Sequence, residues 1–345
     1  VGSFLFAAVG AAQPCLVVGI VYGGPITDAG YNQAHYDAIR QLQVNMPCVR
    51  VIQAEMVGAG DVEAVIEMMI AQGARLIIPA SFGFQTAAFN VSQRHPGVVF
   101  LHPGGFRLSA NFGTYFGTPQ QGMYLLGAAA AMMTRTGKLG FVGGLPIGFV
   151  LGNANGFHLG ARSVNPNIQT YVVFTGSWVD RAKEVAATNA LIQQGCDVIA
   201  MHVDSPQAIV QVAEAAGVYS IGYQNLAAQN FAPRGWITGL GFTFGGLFTE
   251  TAQQVIAGTW TPAHRRKGFA DGYMALAPFG PAVPMTVQQH VLGLLEQLNA
   301  GTLQPFAGPI KDQAGVVRIP AGEVWGNEKM GLFDWFVEGI IGAPR

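Results

Sequence analysis

The sequence predicts an α/β protein of two Rossmann-like, doubly wound lobes, on three observations. Short, wholly apolar runs alternate with longer segments of helical periodicity, and strands that are apolar throughout belong to parallel sheets covered on both faces. The alternation starts at Leu16 and restarts after Tyr115, so two βα arrays follow one another. A phrase also recurs: Val62–Leu76 and Val185–Val198 are helical segments that each end on Gln-Gly before a strand. Glycine there supplies the left-handed exit from a helix, and its recurrence at equivalent places points to pseudo-symmetric lobes rather than a solenoid.

In the first array, Leu16–Tyr22 reads as a strand and Asn32–Val44 as a helix with Ala34, Ala38, Ile39 and Leu42 on one face. Val49–Gln53 is a strand, and Asp61–Gln72 a helix that Asp61 can cap. Leu76–Pro79 is a strand, Thr86–Arg94 a helix and Val98–Leu101 a strand. The second array begins with an Ala-rich helix, Gln121–Met133, then strand Leu139–Val142, helix Phe149–Ser163 and strand Gln169–Phe174. Helix Arg181–Gln194, strand Val198–Met201, helix Pro206–Ala215 and strands Val218–Ile221 and Ile237–Leu240 follow. No long flexible linker lies between the arrays, so a hinge crossed more than once is expected. The lobes are assigned as 14–118 with 241–270 and 119–240 with 271–345, after a signal-like leader at 1–13.

Composition narrows the function. Only 11% of the 345 residues are charged and 50% are apolar, with mean hydropathy +0.33. Three uncharged stretches, 1–27, 108–134 and 272–295, exceed the ~20 residues a bilayer requires. Each is interrupted, by Gly23-Gly24-Pro25, by Pro119-Gln120-Gln121-Gly122, and by Pro278, Pro281 and Pro284. Broken backbone at lipid depth leaves polar groups unpaired, which argues against spanning segments. The net charge of −1 offers no electrostatic footprint for nucleic acid.

The first thirteen residues are apolar and rich in small side chains; they read as the tail of a secretory signal or as an extra apolar strand or leader. Pro14-Cys15 and Pro47-Cys48 each precede a β-branched run. If these runs are neighbouring parallel strands, their starts lie about 4.8 Å apart, within the range of a disulfide. A Cys15–Cys48 bridge is therefore expected, two buried thiols being the alternative. One bridge after an apolar leader favours an exported location.

A search for catalytic patterns is unproductive. The seven histidines show no metal-ligand spacing, and there is no Gly-x-Ser-x-Gly elbow or Walker A loop. No cofactor or metal is expected. The informative residues lie in loops after strands, where open α/β sheets bind ligands. After the first strand come Asp28, Tyr31 and Asn32; after the third, Ser81, Phe82 and Phe84. The second array contributes Trp178, Asp204, Gln224 and Asn225, with Phe242 after the last strand and Asp271 in a turn. Aromatics with a few polar groups suit a flat ligand that makes hydrogen bonds. Each also has a structural reading: Asp28, Asp180 and Asp204 as helix caps, one of Phe82 and Phe84 as packing, Trp178 as a core anchor, Asp271 as a turn residue, and His202 as a satisfied buried histidine.

The motifs Val18–Tyr31, Ser81–Phe84, Leu159–Pro166, Asp204–Pro206, Leu276–Phe279, Phe306–Gln313, Ile319–Glu323 and Met330–Trp335, in this order, resemble the basic membrane protein family of ABC-transporter solute-binding proteins. The resemblance covers nearly the whole chain. It implies a type I periplasmic-binding fold, with two lobes closing on a purine nucleoside or base. An aromatic after the first-strand Asp stacks on the base in such relatives, and Tyr31 matches it; Trp178 is the choice for the facing aromatic. Acidic residues of the loop at Gly222 bind ribose in nucleoside-binding relatives, but here the loop reads Gly222-Tyr223-Gln224-Asn225. That shifts the expectation toward a free nucleobase, with a nucleoside retained.

The expected protein is thus an extracytoplasmic receptor, monomeric and not an enzyme, that delivers a purine base or nucleoside to an ABC permease. How it is anchored is left open. Alternatives are a binding protein or sensor for another flat heterocycle such as riboflavin, or a nucleoside-processing enzyme.

Overall fold

The computed structural model describes residues 13–345; the leader, apart from Gln13, lies outside them. The first lobe runs β1 (Leu16–Tyr22), α1 (Tyr31–Asn45), β2 (Val49–Ala54), α2 (Val62–Ala71), β3 (Leu76–Ala80), α3 (Gln85–Arg94), β4 (Val99–Pro103) and β5 (Phe112–Phe116). The second runs α4 (Pro119–Met133), β6 (Lys138–Gly143), α5 (Gly148–Val164), β7 (Gln169–Phe174), α6 (Arg181–Gln193), β8 (Val198–His202), α7 (Gln207–Ala216), β9 (Tyr219–Gln224) and β10 (Trp236–Phe242). The chain then returns through α8 (Gly245–Ala257) and β11 (His264–Arg266). It ends with β12 (Met274–Leu276), α9 (Met285–Asn299), the hairpin β13 (Ile310–Lys311) and β14 (Val317–Ile319), and β15 (Ile340–Ile341).

Apart from the β13-β14 hairpin, the strands form two sheets, ordered β2-β1-β3-β4-β5-β11 and β15-β7-β6-β8-β9-β10-β12. Apart from β15, the two orders superpose position for position. This is the doubly wound arrangement, and in each lobe the order reverses beside the strand that opens the array. The repeated Gln-Gly phrases occupy matching sites: Gly73 and Gly195 follow α2 and α6 at φ +93° and +88°. Among the described residues the chain passes between sheets three times, at 117–118, at 243–244 and between β11 and β12.

Wholly buried strands account for much of the hydropathy: every residue of β1, β3, β8 and β10 is buried. The uncharged helix α4 lies on α5 at backbone contact distance. A Cβ on Gly127 would fall 1.8 Å from the Phe157 carbonyl oxygen, and one on Gly160 1.8 Å from that of Tyr124. Close approach of this kind leaves no room for charged side chains between them.

Local signals fared unevenly. Asp180 caps α6, its carboxylate accepting from the Lys183 N–H at 3.1 Å. Asp61 precedes α2 but makes no side-chain cap bond, because its backbone is already helical rather than in the extended region a capping residue uses. Helix α9 and strands β11 to β15 carry weak patterns: α9 buries only Val287 and Val291, and the strands are two or three residues long. Cys15 and Cys48 are joined, with Cα atoms 5.4 Å apart, at the starts of β1 and β2, where Leu16 pairs with Val49.

Candidate functional site

Parallel strands end their carboxyl termini together, and the order reversals of both sheets face each other across the gap between lobes. The loops after β1 and β3 meet those after β6 and β8 there. They enclose a cavity of about 450 Å³, counting the space at its mouth. Tyr31, Phe82 and Phe116 line it from the first lobe, and Ile147, Phe149 and Trp178 from the second. Phe149 carries the second lobe into the first, its ring 6.2 Å from that of Phe82, 5.9 Å from Phe106 and 6.0 Å from Phe116. Trp178 is seated by Gly144, where a Cβ would lie 2.8 Å from the indole.

The polar part of the lining is Ser81, His202, Asp204 and Gln224. Burial, and then the neighbouring Asp28, push the Asp204 carboxyl up to about 8, while Gln224 pulls it down. The Gln224 amide nitrogen donates to Asp204 Oδ1 at 3.4 Å, and its buried Oε1 has no partner. Gln224 holds φ at +76°, a left-handed conformation that costs a non-glycine residue about 1–3 kcal/mol; such strain concentrates at ligand sites. Burial lowers His202 to about 3, so its ring is neutral. With the Asn153 amide donating to Nδ1 at 2.9 Å, the ring carries its proton on Nε2. The cavity therefore offers an acceptor at Gln224, a donor at His202 and a carboxyl at Asp204 that both donates and accepts while it holds its proton, between aromatic walls.

Of the residues proposed from sequence, Tyr31, Ser81, Phe82, Trp178, Asp204 and Gln224 line this cavity. Asp28 does not: its carboxylate accepts from the N–H groups of Gly30, Asn32 and Gln33 and from the Asn32 amide, at 2.8–3.0 Å. Asn32 is likewise consumed, accepting from the Gly24 N–H at 3.2 Å. These two build the entry to α1, and neither lines the cavity. Phe84 is buried in the first-lobe core among Val17, Val21 and Val91, because Phe82–Phe84 is a 3-10 turn that sends the two rings apart. Phe242 packs behind Tyr31 at 6.4 Å. Asn225 lies in a different groove, donating to Asp37 at 2.9 Å. Asp271 is exposed, in the turn after Lys267, whose ammonium is 3.5 Å away.

Sequence reasoning missed Phe116, Ile147 and Phe149, and read His202 only as a buried histidine. The rule that found the other loops applies equally to 144–149 after β6; an aromatic already counted inside a helix was passed over.

Comparison with known proteins agrees with this architecture. The Bmp family model, described as ABC transporter substrate-binding protein PnrA-like, matches residues 15–271. A purine-binding protein of Brucella abortus is 33% identical over 342 residues, 99% of this chain and 97% of that one. A putative ABC transporter glucose-binding protein of Haloferax volcanii is 32% identical over 288 residues, 84% of this chain and 73% of its own. The solved structure of a solute-binding protein from Conexibacter woesei superposes with TM-score 0.70 at 25% identity, covering 84% of this chain and 97% of that one. Two lobes with this strand order, closing on an aromatic cavity, and a family match over most of the chain place the protein in the Bmp family of PnrA-like ABC transporter substrate-binding proteins.

Proposed function

We propose that this solute-binding protein captures a purine nucleobase in the interlobe cavity and presents it, as an extracytoplasmic monomer, to an ABC permease. The observation that carries the reading is the pairing of Asp204 with Gln224 at the end of an aromatic slot. A half-buried carboxyl with one side-chain partner at 3.4 Å and a buried amide oxygen with none call for N–H donors, since unpaired buried polar groups are costly. The edge of a purine supplies N–H donors and ring-nitrogen acceptors together, and its faces suit Phe82, Phe149 and Trp178.

One feature favours a free base over a nucleoside or a hexose. Among the described residues lining the cavity Asp204 is the only carboxylate, whereas ribose or glucose hydroxyls call for several acceptors. The purine-binding relative spans nearly the whole chain, in support of the same class. The Cys15–Cys48 bond suits an oxidising compartment.

Thermal shift of the purified protein against adenine, guanine, hypoxanthine, adenosine, guanosine, glucose and riboflavin tests the proposal. A saturable rise with one or more free bases is expected. No shift with any purine, or a rise with glucose alone, would overturn it.

A further inference from the structure

We propose that a second pocket, beside the segments joining the lobes, binds a small oxyanion of the phosphate class. It holds about 510 Å³, counting its open side, and Thr118, Gln121, Arg266, Lys267 and Asn327 are among its walls. His264-Arg265-Arg266-Lys267 is a cluster of basic residues in a chain with only 18 Lys and Arg, and the nucleobase cavity does not absorb it.

Two buried donors there lack partners. The Arg266 guanidinium lies over Phe116 and Phe149 at 5.7 and 5.6 Å, and its Nη2 donates to the Gly105 carbonyl at 3.1 Å. Its buried Nη1 has no acceptor, and among the described residues no carboxylate forms an ion pair with it. Burial lowers Arg266 to about 10, which still leaves it charged at neutral pH. Thr118 is 2% exposed, and its hydroxyl also has no partner. It stands at the N-terminus of the 15-residue helix α4 but makes no side-chain cap bond.

These donors belong together chemically. A helix N-terminus presents partial positive charge and first-turn N–H groups that the helix itself cannot satisfy. The Thr118 hydroxyl and Arg266 Nη1, from two residues that share the walls of this pocket, make a donor pair suited to an oxyanion at that helix end. Glycine at 268 keeps the cradle open, since a Cβ there would lie 3.1 Å from Thr118 Oγ1. Lys267 and Asp271 form a half-exposed pair at 3.5 Å on the rim, so the uncompensated charge is that of Arg266. Thr118 opens the second lobe and Arg266 closes the first-lobe sheet, so a bound anion would tie two of the segments that cross between lobes.

Isothermal titration of the intact protein with inorganic phosphate, against chloride at equal ionic strength, tests the site without requiring any purine. Saturable binding of phosphate and none of chloride is expected. Thr118→Val and Arg266→Gln should each weaken phosphate by about tenfold or more, as loss of a hydrogen bond to a charged group does. Thr118→Ser should restore it. Equal heats from chloride, or phosphate affinity unchanged in both variants, would overturn the site. AMP displacing phosphate where adenosine does not would assign the anion to a nucleotide reaching from the cleft; no displacement would assign it to a free oxyanion.

Discussion

The backbone N–H of Tyr31, the first residue of α1, donates across the cleft to the carbonyl oxygen of Asp204 at 3.0 Å. An amide that the helix cannot satisfy in one lobe is thus satisfied by the other. A second bridge joins the Asn225 amide to Asp37 at 2.9 Å. Both join one lobe to the other: Tyr31 and Asp204 line the aromatic cavity, and the Asn225–Asp37 pair lies in a separate groove.

Closure depends on Gly30. A Cβ there would fall 2.0 Å from the Asp204 carbonyl oxygen and 2.5 Å from Pro206 Cδ, atoms of the opposite lobe. Gly30→Ala should therefore shift the population toward open forms and weaken ligand by about tenfold or more, because apparent affinity scales with the closed fraction. Small-angle scattering with saturating ligand should show a larger radius of gyration than wild type; identical curves would show that the loop yields instead.

The aromatic walls should carry much of the affinity. Trp178→Ala and Phe149→Ala should each cost about 1–3 kcal/mol of nucleobase binding, by analogy with base stacking on aromatic side chains. Calorimetric titration with the best-stabilising base checks this. Unchanged affinity in Trp178→Ala would return that residue to a packing role against Gly144.

The cleft should make stability depend on pH in a particular direction. Asp204 is raised from 3.8 to about 8, so between those values the folded chain keeps a proton that the unfolded chain has lost. The associated stabilisation is complete below the lower value and disappears as pH rises through the upper one. Asp204→Asn removes that titration, and its Tm should fall less than that of wild type between about pH 5 and 8. Buried His35, His102 and His202, all lowered in pKa, act equally in both proteins. Parallel Tm profiles would mean that Asp204 is ionised in the folded cleft.

Reduction should be costly as well. The Cys15–Cys48 bond closes a sequence separation of 33, for which loop-entropy arguments give about 3–4 kcal/mol. Cys15→Ser with Cys48→Ser should lower Tm accordingly. Intact mass without reductant should be two hydrogens light; a full count of free thiols would dismiss the bond.

Much of this was legible before any coordinates. The strand and helix assignments of both arrays need only local periodicity, and the repeated Gln-Gly phrase marks the matching exits of α2 and α6. The rule that ligands gather at strand ends picked out Tyr31, Phe82, Trp178, Asp204 and Gln224 because it depends on topology alone. It erred where a polar side chain had local work to do. Asp28 and Asp204 look alike in sequence, each an acid in a loop before a helix. Asp28 has its hydrogen bonds filled by the backbone of its own loop, while Asp204 is left facing the cavity with Gln224 alone.

By itself, then, the sequence determined two doubly wound lobes, the loops in which a ligand site would fall, and the family they belong to, because these follow from patterns repeated along the chain. Only the tertiary structure decided which members of those loops meet. Phe149 crosses to Phe82 and Phe116, His202 acquires Asn153, and Thr118 comes beside Arg266, because such meetings depend on how two lobes are set against each other. Contacts between residues so far apart in the chain leave no period for a sequence to display.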